Sequence, residues 1–282
     1  MISPPIRRIS PFLAPTLRRL DVDVKKAIPR VVAGGDEEAI HDLRVAMRRL
    51  RTLLRLARPV FGRFHADAVR LAYTQVFRAT GELRDEEVLD ETLDSVALTE
   101  PSFVAWRALR AARERRLRRA AVARVRGGEL TQAGLLLKAL VTLPVVPRRD
   151  KNLARFARRC VERARRNVES QRDVPVENVV GLHDLRIAYK ELRYAAELLA
   201  GALPLDLAAL AEPAARFQKR LGEVHDVDVA LMTVSRARAL TPAARAELLA
   251  RLAALRAKKV AKYVAEMAPD PPVPSEAPLA SP

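Results

Sequence analysis

The sequence predicts an all-α protein made of two pseudo-symmetric helical bundles. Glycine contributes only 10 of the 282 residues, while Ala, Leu, Arg and Glu dominate. That composition is typical of helices rather than of sheets. Apolar residues recur at the helical period of about 3.6 along most of the chain. A long motif also occurs twice, which indicates an internal duplication.

Eleven amphipathic helices follow from this period and from the breakers between them. Ser102 is a candidate N-cap of the fifth helix, Pro59 and Gly62 end the second, and Gly201 and Pro204 end the eighth. The predicted ranges are 15–33, 36–60, 65–81, 85–97, 101–126, 129–142, 150–172, 178–201, 205–221, 226–239 and 242–267.

The helices group into two repeats with short flanking segments. We predict an N-terminal extension over 1–12, a first bundle over 13–142, a linker over 143–149 and a second bundle over 150–267. The tail over 268–282 is too rich in proline to pack into a core and is expected to be disordered.

The repeated motif begins with a His-Asp-Leu-Arg sequence. Its first copy is Ile40-His-Asp-Leu-Arg-Val-Ala-Met-Arg-Arg-Leu-Arg51, and 142 residues later it returns as Leu182-His-Asp-Leu-Arg-Ile-Ala-Tyr-Lys-Glu-Leu-Arg193. A second echo pairs Gly81-Glu-Leu-Arg-Asp-Glu-Glu-Val88 with Gly222-Glu-Val-His-Asp-Val-Asp-Val229, at a shift of 141. Two bundles related by a pseudo-two-fold axis would place the copies near each other or at equivalent ends of a shared groove.

Basic side chains follow one face of each motif helix, beside its apolar stripe. Their spacing of three and four residues confines the first set to roughly 80° of arc. Such like charges destabilise an isolated helix by several tenths of a kcal/mol per pair, so a bound anion is predicted. A solvated face, or salt bridges to neighbouring helices, is the alternative. The candidate binding residues are His41, Arg44, Arg48, Arg51 and Arg55 in the first copy and His183, Arg186, Lys190 and Arg193 in the second, where Glu197 replaces a fifth cation.

Two further arginine series and two aspartates accompany these rows. The arginines either widen the basic surface or form ordinary exposed faces neutralised by Glu114, Glu162 and Glu169. Asp85 and Asp226 either cap the fourth and tenth helices or hold a motif side chain in its rotamer. The series comprise Arg107, Arg110, Arg113 and Arg116, and Arg155, Arg159, Arg163 and Arg166.

The charge of the whole chain favours an anionic partner. Lys and Arg total 51 against 34 Asp and Glu, a formal net charge of +17 with a pI near 10.9. Such a chain attracts anions at long range, and arginine pairs bidentately with phosphate. The single cysteine, Cys160, excludes an internal disulfide and a multi-cysteine metal site. With neither signal peptide nor apolar span recognisable, a cytoplasmic protein without metal or cofactor is expected.

Both copies of the motif closely resemble the CHAD family, the conserved histidine α-helical domain, over about residues 10–267. The resemblance implies two helical bundles around a basic channel that binds inorganic polyphosphate without cleaving it. It also makes polyphosphate granules a candidate location. Glu86, Glu87 and His225 depart from the family pattern. The family's histidine and basic positions fall on His41, Arg44, Arg48, Arg51, His183, Arg186, Lys190 and Arg193.

Two other functions fit parts of the sequence. A nonspecific nucleic-acid-binding protein fits the net charge, although only 4 % of residues are aromatic and no recognition motif occurs. A metal-dependent phosphohydrolase fits the His-Asp doublets, but Arg44 and Arg186 follow one turn later and disfavour a divalent metal. We therefore expect a binding protein and not an enzyme. Histidines near a polyanion are expected to tighten binding as the pH falls toward about 6.5.

Overall fold

The computed structural model describes residues 8–34, 38–143 and 152–267, and within these ranges it is all-α, as predicted. These residues contain no strand, only one isolated antiparallel backbone pairing between Arg8 and Asn152. A short 3₁₀ turn, Ala200–Ala202, follows α8. The helices are α1 Ser10–Ala33, α2 Glu38–Phe61, α3 Arg63–Ala79, α4 Gly81–Asp94, α5 Pro101–Arg126, α6 Glu129–Thr142, α7 Leu153–Glu169, α8 Val179–Leu199, α9 Leu205–Ala209, α10 Ala211–Ser235 and α11 Pro242–Met267.

The chain divides into two compact units, with the division inside α7 between Ala157 and Arg158. The predicted extension, linker and tail fall largely outside the described residues, namely at 1–7, 144–149 and 268–282. Helix α1 begins at Ser10, earlier than the sequence predicts, although Pro15 lies inside it. None of the helices in the described part of the chain is long and apolar enough to cross a membrane.

In the first unit, α2 is the central helix and packs against α1 and α3. Its apolar stripe of Leu43, Met47, Leu50 and Leu54 is fully buried, as the sequence predicts. Helix α6 packs on α3, and α5 packs on α1 and α4. The basic face of α2 therefore lies beside a packed face that fixes the rotation of the helix about its axis.

In the second unit, α8 and α11 both pack against α10. The core contains Tyr189 of α8, which stacks on Phe217 of α10 with ring centroids 5.4 Å apart. Tyr263 of α11 meets the same phenylalanine edge-on at 6.4 Å. Three helices thus converge on one aromatic cluster, which holds the second motif helix in place.

Helix α10 corrects one prediction. The sequence predicts a break between 221 and 226, yet the helix runs through Gly222 without interruption. A glycine inside a helix costs about 1 kcal/mol relative to alanine. Burial of Leu221 and Val224 on the face toward the core outweighs that cost. Asp226 therefore lies in the middle of a helix and caps nothing.

The caps of two other helices also differ from the prediction. The side chain of Glu100, not that of Ser102, caps α5 by accepting a hydrogen bond from the backbone N–H of Phe103 at 2.9 Å. The Ser102 hydroxyl donates to the same carboxylate. Helix α4 begins at Gly81, which places Asp85 one turn inside it. The sequence predicted neither helix start correctly, because the first residue of each helix depends on where the preceding loop ends.

Candidate functional site

Three guanidinium groups of α2 converge on a single aromatic ring. The Cζ atoms of Arg44 and Arg51 lie 4.3 Å from the centroid of the Phe77 ring on α3, and that of Arg48 lies at 5.9 Å. We call Arg44, Arg48 and Arg51 the α2 arginine row. Arginine faces stack on the negative face of an aromatic ring, so α3 gathers these like charges together.

Arg44 is the most deeply placed member of this row, with 7 % of its surface exposed. Its Nη1 donates to the backbone oxygen of Phe77 at 2.8 Å and to Oγ1 of Thr80 at 2.9 Å. Burial and then the charge of Arg48 lower the pKa of Arg44, Asp85 partly offsets them, and the resulting pKa is about 10. The group is still protonated at pH 7, in surroundings that disfavour its charge.

Arg51 occupies a similar position two turns along α2. Its Nε donates to Oγ1 of Thr74 at 2.9 Å. Burial lowers the pKa of Arg51 to about 10, and repulsion from Arg70, Arg48 and Arg78 acts in the same direction. Its surroundings are thus cationic throughout.

No carboxylate of the described residues forms a salt bridge with the α2 arginine row. The buried Nε atoms of Arg44 and Arg48 also have no hydrogen-bond partner among those residues. Asp42, which the sequence places beside His41, pairs instead with Arg30 of α1 at 2.6 Å. Phosphate oxygens are the ligands that a cluster of guanidinium donors without carboxylates suits best.

The remaining candidates on α2 lie at the two ends of this row. His41 precedes it by one turn and Arg55 follows it by one turn, and both side chains are half-buried. The spacing in the sequence thus places all five candidates of the first copy along one face of one helix, as predicted.

The second motif helix differs in its charge balance. Arg193 of α8 donates from Nε to Oε1 of Glu197 at 2.7 Å, so a carboxylate on its own helix neutralises it. Arg186 and Lys190 are half-buried, and both act through their charges on His183. The row on α8 therefore includes a neutralised member where the α2 row has none among the described residues.

His183 meets a second histidine that the motif does not contain. Its Nδ1 lies 3.3 Å from Nδ1 of His225 on α10, and the ring centroids are 4.6 Å apart. Burial, Arg186 and the neighbouring ring lower the pKa of His225 to about 4, and burial lowers the pKa of His183. One neutral ring donates its N–H to the other. Both rings are uncharged at pH 7, so the predicted tightening of anion binding should begin below pH 6.5.

The arginines of α5 are mostly engaged with α4. Arg107 pairs with Asp94 at 2.9 Å and Arg110 with Glu86 at 2.6 Å. Arg113 contacts Glu82 at 3.1 Å and Glu86 at 2.9 Å. Arg118 contacts Glu87 at 3.1 Å. These contacts account for Glu86 and Glu87, the two acidic departures from the family pattern.

The ion pairs with α4 lie along the central part of α5, where no residue is fully buried. Its buried residues are Phe103, Trp106, Ala121 and Val125, which leaves the fourteen residues between Trp106 and Ala121 without one. Arg116 lies in that stretch and is exposed. Three of the four α5 candidates are thus neutralised, but by carboxylates of α4 and not by Glu114, which pairs with Arg118 instead.

The four candidates of α7 behave differently. Their side chains are exposed and form no salt bridge with any described residue. Arg165, which is not among them, pairs with Glu169 at 3.6 Å. These exposed residues, which can add to the attraction of an anion, are Arg155, Arg159, Arg163 and Arg166.

The described part of the chain shows no candidate metal site, and its cysteine is buried. It contains no group of three or more His, Cys, Asp or Glu side chains that could hold a metal ion. Cys160 is buried, and burial raises the pKa of its thiol to about 11. The thiol is therefore protonated and unreactive at neutral pH.

Several contact residues of the site were not found from sequence. Thr74 and Phe77 on α3 and Thr80 at its C-cap recur every third residue and share one side, but only pairing with α2 shows what that side contacts. His225 stands in the sequence only as a departure from the family pattern. Its contact with His183 joins helices 42 residues apart, which no local spacing can indicate.

Comparison with known proteins agrees with this architecture. The family model of the CHAD domain matches residues 17–235. The crystal structure of the CHAD domain from the plant Ricinus communis superimposes with a TM-score of 0.75 at 21 % identity, covering 95 % of this chain and 93 % of that one. PptA from Streptomyces chartreusis gives a TM-score of 0.67 at 17 % identity, covering 91 % and 96 %. No curated protein matches the chain in sequence.

Proposed function

The chain belongs to the CHAD domain family, and on that premise we propose that it binds inorganic polyphosphate without cleaving it. The observation that supports this most directly is the α2 arginine row, which forms no salt bridge with a described carboxylate. Guanidinium groups offer paired N–H donors to successive phosphates and stay charged at every physiological pH. The proposed ligand contacts are His41, Arg44, Arg48, Arg51, Arg55, His183, Arg186, Lys190 and Arg193.

The repeated motif supports a finer proposal about architecture. We take the two halves as products of an internal duplication, arranged pseudo-symmetrically so that both motif helices line one basic groove or channel. The family pattern implies this arrangement, and the recurrence of four basic or histidine positions at a shift of 142 is consistent with it. A chain of phosphates could then contact both rows in succession.

Binding to polyphosphate of defined length tests the function. We expect tight binding whose logarithm falls linearly with the logarithm of salt concentration, since each neutralised phosphate releases counterions. Arg48→Gln should weaken binding and reduce the slope by about 1, as for any lost phosphate contact. Arg238→Gln is the matched control, because it removes the same charge from an exposed turn. An equal loss of polyphosphate affinity in both variants would show that net charge alone explains the effect.

Nonspecific binding of nucleic acid is the second candidate, and the net charge of +17 favours it. Competition separates the two ligands. Polyphosphate should displace labelled DNA at a lower phosphate concentration than unlabelled DNA does. The reverse order would make nucleic acid the preferred ligand.

The absence of catalysis is part of the proposal. His183 and His225 are held neutral, but the charges of Arg186 and Lys190 beside them oppose a divalent metal. Incubation with polyphosphate and Mg²⁺, Mn²⁺ or Zn²⁺ should release no orthophosphate. Metal-dependent release would instead make the protein a phosphohydrolase.

We further propose that polyphosphate binding brings the protein to cytoplasmic polyphosphate granules. A fluorescent fusion should form foci that coincide with stained granules and disperse when polyphosphate synthesis is removed. The fusion carrying Arg48→Gln should be more diffuse than the wild type. Foci that persist without polyphosphate would locate the protein by another route.

A further inference from the structure

Helix α3 presents an uncharged face to the α2 arginine row. Its members are Thr74, Phe77 and Thr80, which we call the α3 support face. Each threonine hydroxyl accepts one guanidinium N–H at 2.9 Å and donates in turn to a carbonyl of its own helix, Thr74 to that of Arg70 at 2.7 Å. The Phe77 ring stands between them, and the Cζ atoms of Arg44 and Arg51 lie over its face.

An aromatic support leaves an arginine free for phosphate in a way that a carboxylate does not. A carboxylate pairs with the N–H edge of the guanidinium, which is the edge that phosphate also needs. A ring attracts the face of the cation through its quadrupole and leaves the outer N–H groups available. Stacking therefore fixes the direction of a guanidinium without using up its donors.

Other arginines of the protein show the contrasting arrangement. Arg110 also lies over an aromatic ring, that of Trp106 at 5.9 Å, but it donates to Glu86 at 2.6 Å. Arg193 lies 5.5 Å from the Tyr194 ring and donates to Glu197. In both places a carboxylate occupies the donor edge. The α2 row combines ring stacking with hydroxyl acceptors instead.

The second copy of the motif lacks the support face. At the shift of 141 residues that aligns the echoes at Gly81 and Gly222, Ala215, Gln218 and Leu221 replace Thr74, Phe77 and Thr80. None of these three offers an aromatic face or a hydroxyl. The α3 support face is therefore a feature of the first copy of the motif and not of the second.

We propose that Phe77 is a positioning residue, which orients the guanidinium groups of Arg44 and Arg51 so that the N–H groups not bound to the threonines or to the Phe77 carbonyl can donate to the polyanion. This inference rests on the proposed function, because it assigns a role within the polyphosphate site. It makes the first copy of the motif the better organised half of that site.

Replacement of the ring tests the inference. Phe77→Leu keeps an apolar side chain of similar size but removes the π face. We expect polyphosphate affinity to fall about tenfold, equivalent to about 1.4 kcal/mol, and the salt slope to shrink by about 1. Phe77→Trp and Phe77→Tyr keep a π face and should bind within about twofold of the wild type. Circular dichroism melting checks that each variant is folded, and Phe77→Met replaces the leucine variant if that one is not.

Phe64→Leu is the matched control, since Phe64 lies on the same helix with 81 % exposure and its ring contacts only that of His65 among the described rings. It should bind as the wild type does. A folded leucine variant with unchanged affinity, or aromatic variants as weak as leucine, would overturn the role of the ring. Failure of the wild type itself to bind polyphosphate would instead overturn the proposed function.

Discussion

Arg44 carries a positive charge where its surroundings disfavour one. Burial and the neighbouring Arg48 lower its pKa from 12.5 to about 10, which corresponds to roughly 3 kcal/mol of cost to the charged form. Its hydrogen bonds to Phe77 and Thr80 return about 1 kcal/mol each. Its contact with the Phe77 ring adds about 0.5–2 kcal/mol, so the charge at this position contributes little net stability to the fold at neutral pH.

Replacing Arg44 by a neutral chain of similar shape should separate stability from binding. We expect Arg44→Met to leave the free energy of unfolding within about 1 kcal/mol of the wild type, because removal of the buried charge offsets the loss of two hydrogen bonds and of the ring contact. Polyphosphate affinity should fall at the same time. Urea unfolding and a binding titration measure the two effects, with Arg48→Met as the half-buried comparison. A variant destabilised by more than about 2 kcal/mol would show that Arg44 serves the fold instead.

The His183–His225 pair sets the expected pH dependence of binding. Both pKa values lie below the ordinary 6.5, that of His225 at about 4, so the free protein holds both rings neutral at pH 7. A bound polyanion raises both values, since it favours the protonated rings against Arg186, Lys190 and burial.

Affinity should therefore be nearly flat from pH 8 to 7 and should rise as the pH falls below 6.5, with the full gain reached only below about 4. Titrations across this range with His183→Gln and His225→Gln measure the effect, and both variants should flatten the curve. A pH dependence that persists unchanged in the double variant would assign it to a group outside this pair.

At the scale of the helix, α8 differs from α2 through one carboxylate. Glu197 stands where the first copy has Arg55, and it neutralises Arg193 at 2.7 Å. Glu197→Gln should free that guanidinium for phosphate, tighten polyphosphate binding about threefold and steepen the salt slope by about 1. Glu247→Gln, which also releases an arginine from an i,i+4 pair but on α11, is the control. Equal gains in both variants would mean that net charge alone decides affinity.

The helices also show how far the sequence could predict this fold. The stripe of Leu43, Met47 and Leu50 gave the rotation of α2 correctly, because period and burial are local properties. The break predicted near Gly222 was wrong, since long-range packing of Leu221 outweighed a small local penalty. The same holds for the site. The spacing of the basic residues predicted the two basic faces, whereas Phe77, which contacts one of them, lies on another helix and was not predicted.

At the scale of the whole molecule, 17 excess positive charges repel one another. A ligand that binds only the folded state stabilises it by about 2.7 kcal/mol at one hundred times its Kd. Polyphosphate should therefore raise the melting temperature by about 5–10 °C. Orthophosphate at the same total phosphate concentration is the control, and it should do less because it cannot bridge several arginines. Equal shifts would indicate general charge screening.

The sparse burial along α5 makes its attachment responsive to electrolyte. Fourteen successive residues include none that is fully buried, and their ion pairs with carboxylates of α4 are screened by salt beyond about 10 Å at 0.1 M. Backbone amides between Trp106 and Ala121 should exchange hydrogen faster in 0.5 M NaCl than in 0.02 M, while those of α8 should not. Equal exchange rates at the two salt concentrations would show that contacts other than ion pairs hold α5 in place. A bound polyanion would compete with the α4 carboxylates for the same α5 arginines. Binding of polyphosphate would then be detectable as faster hydrogen exchange in α5.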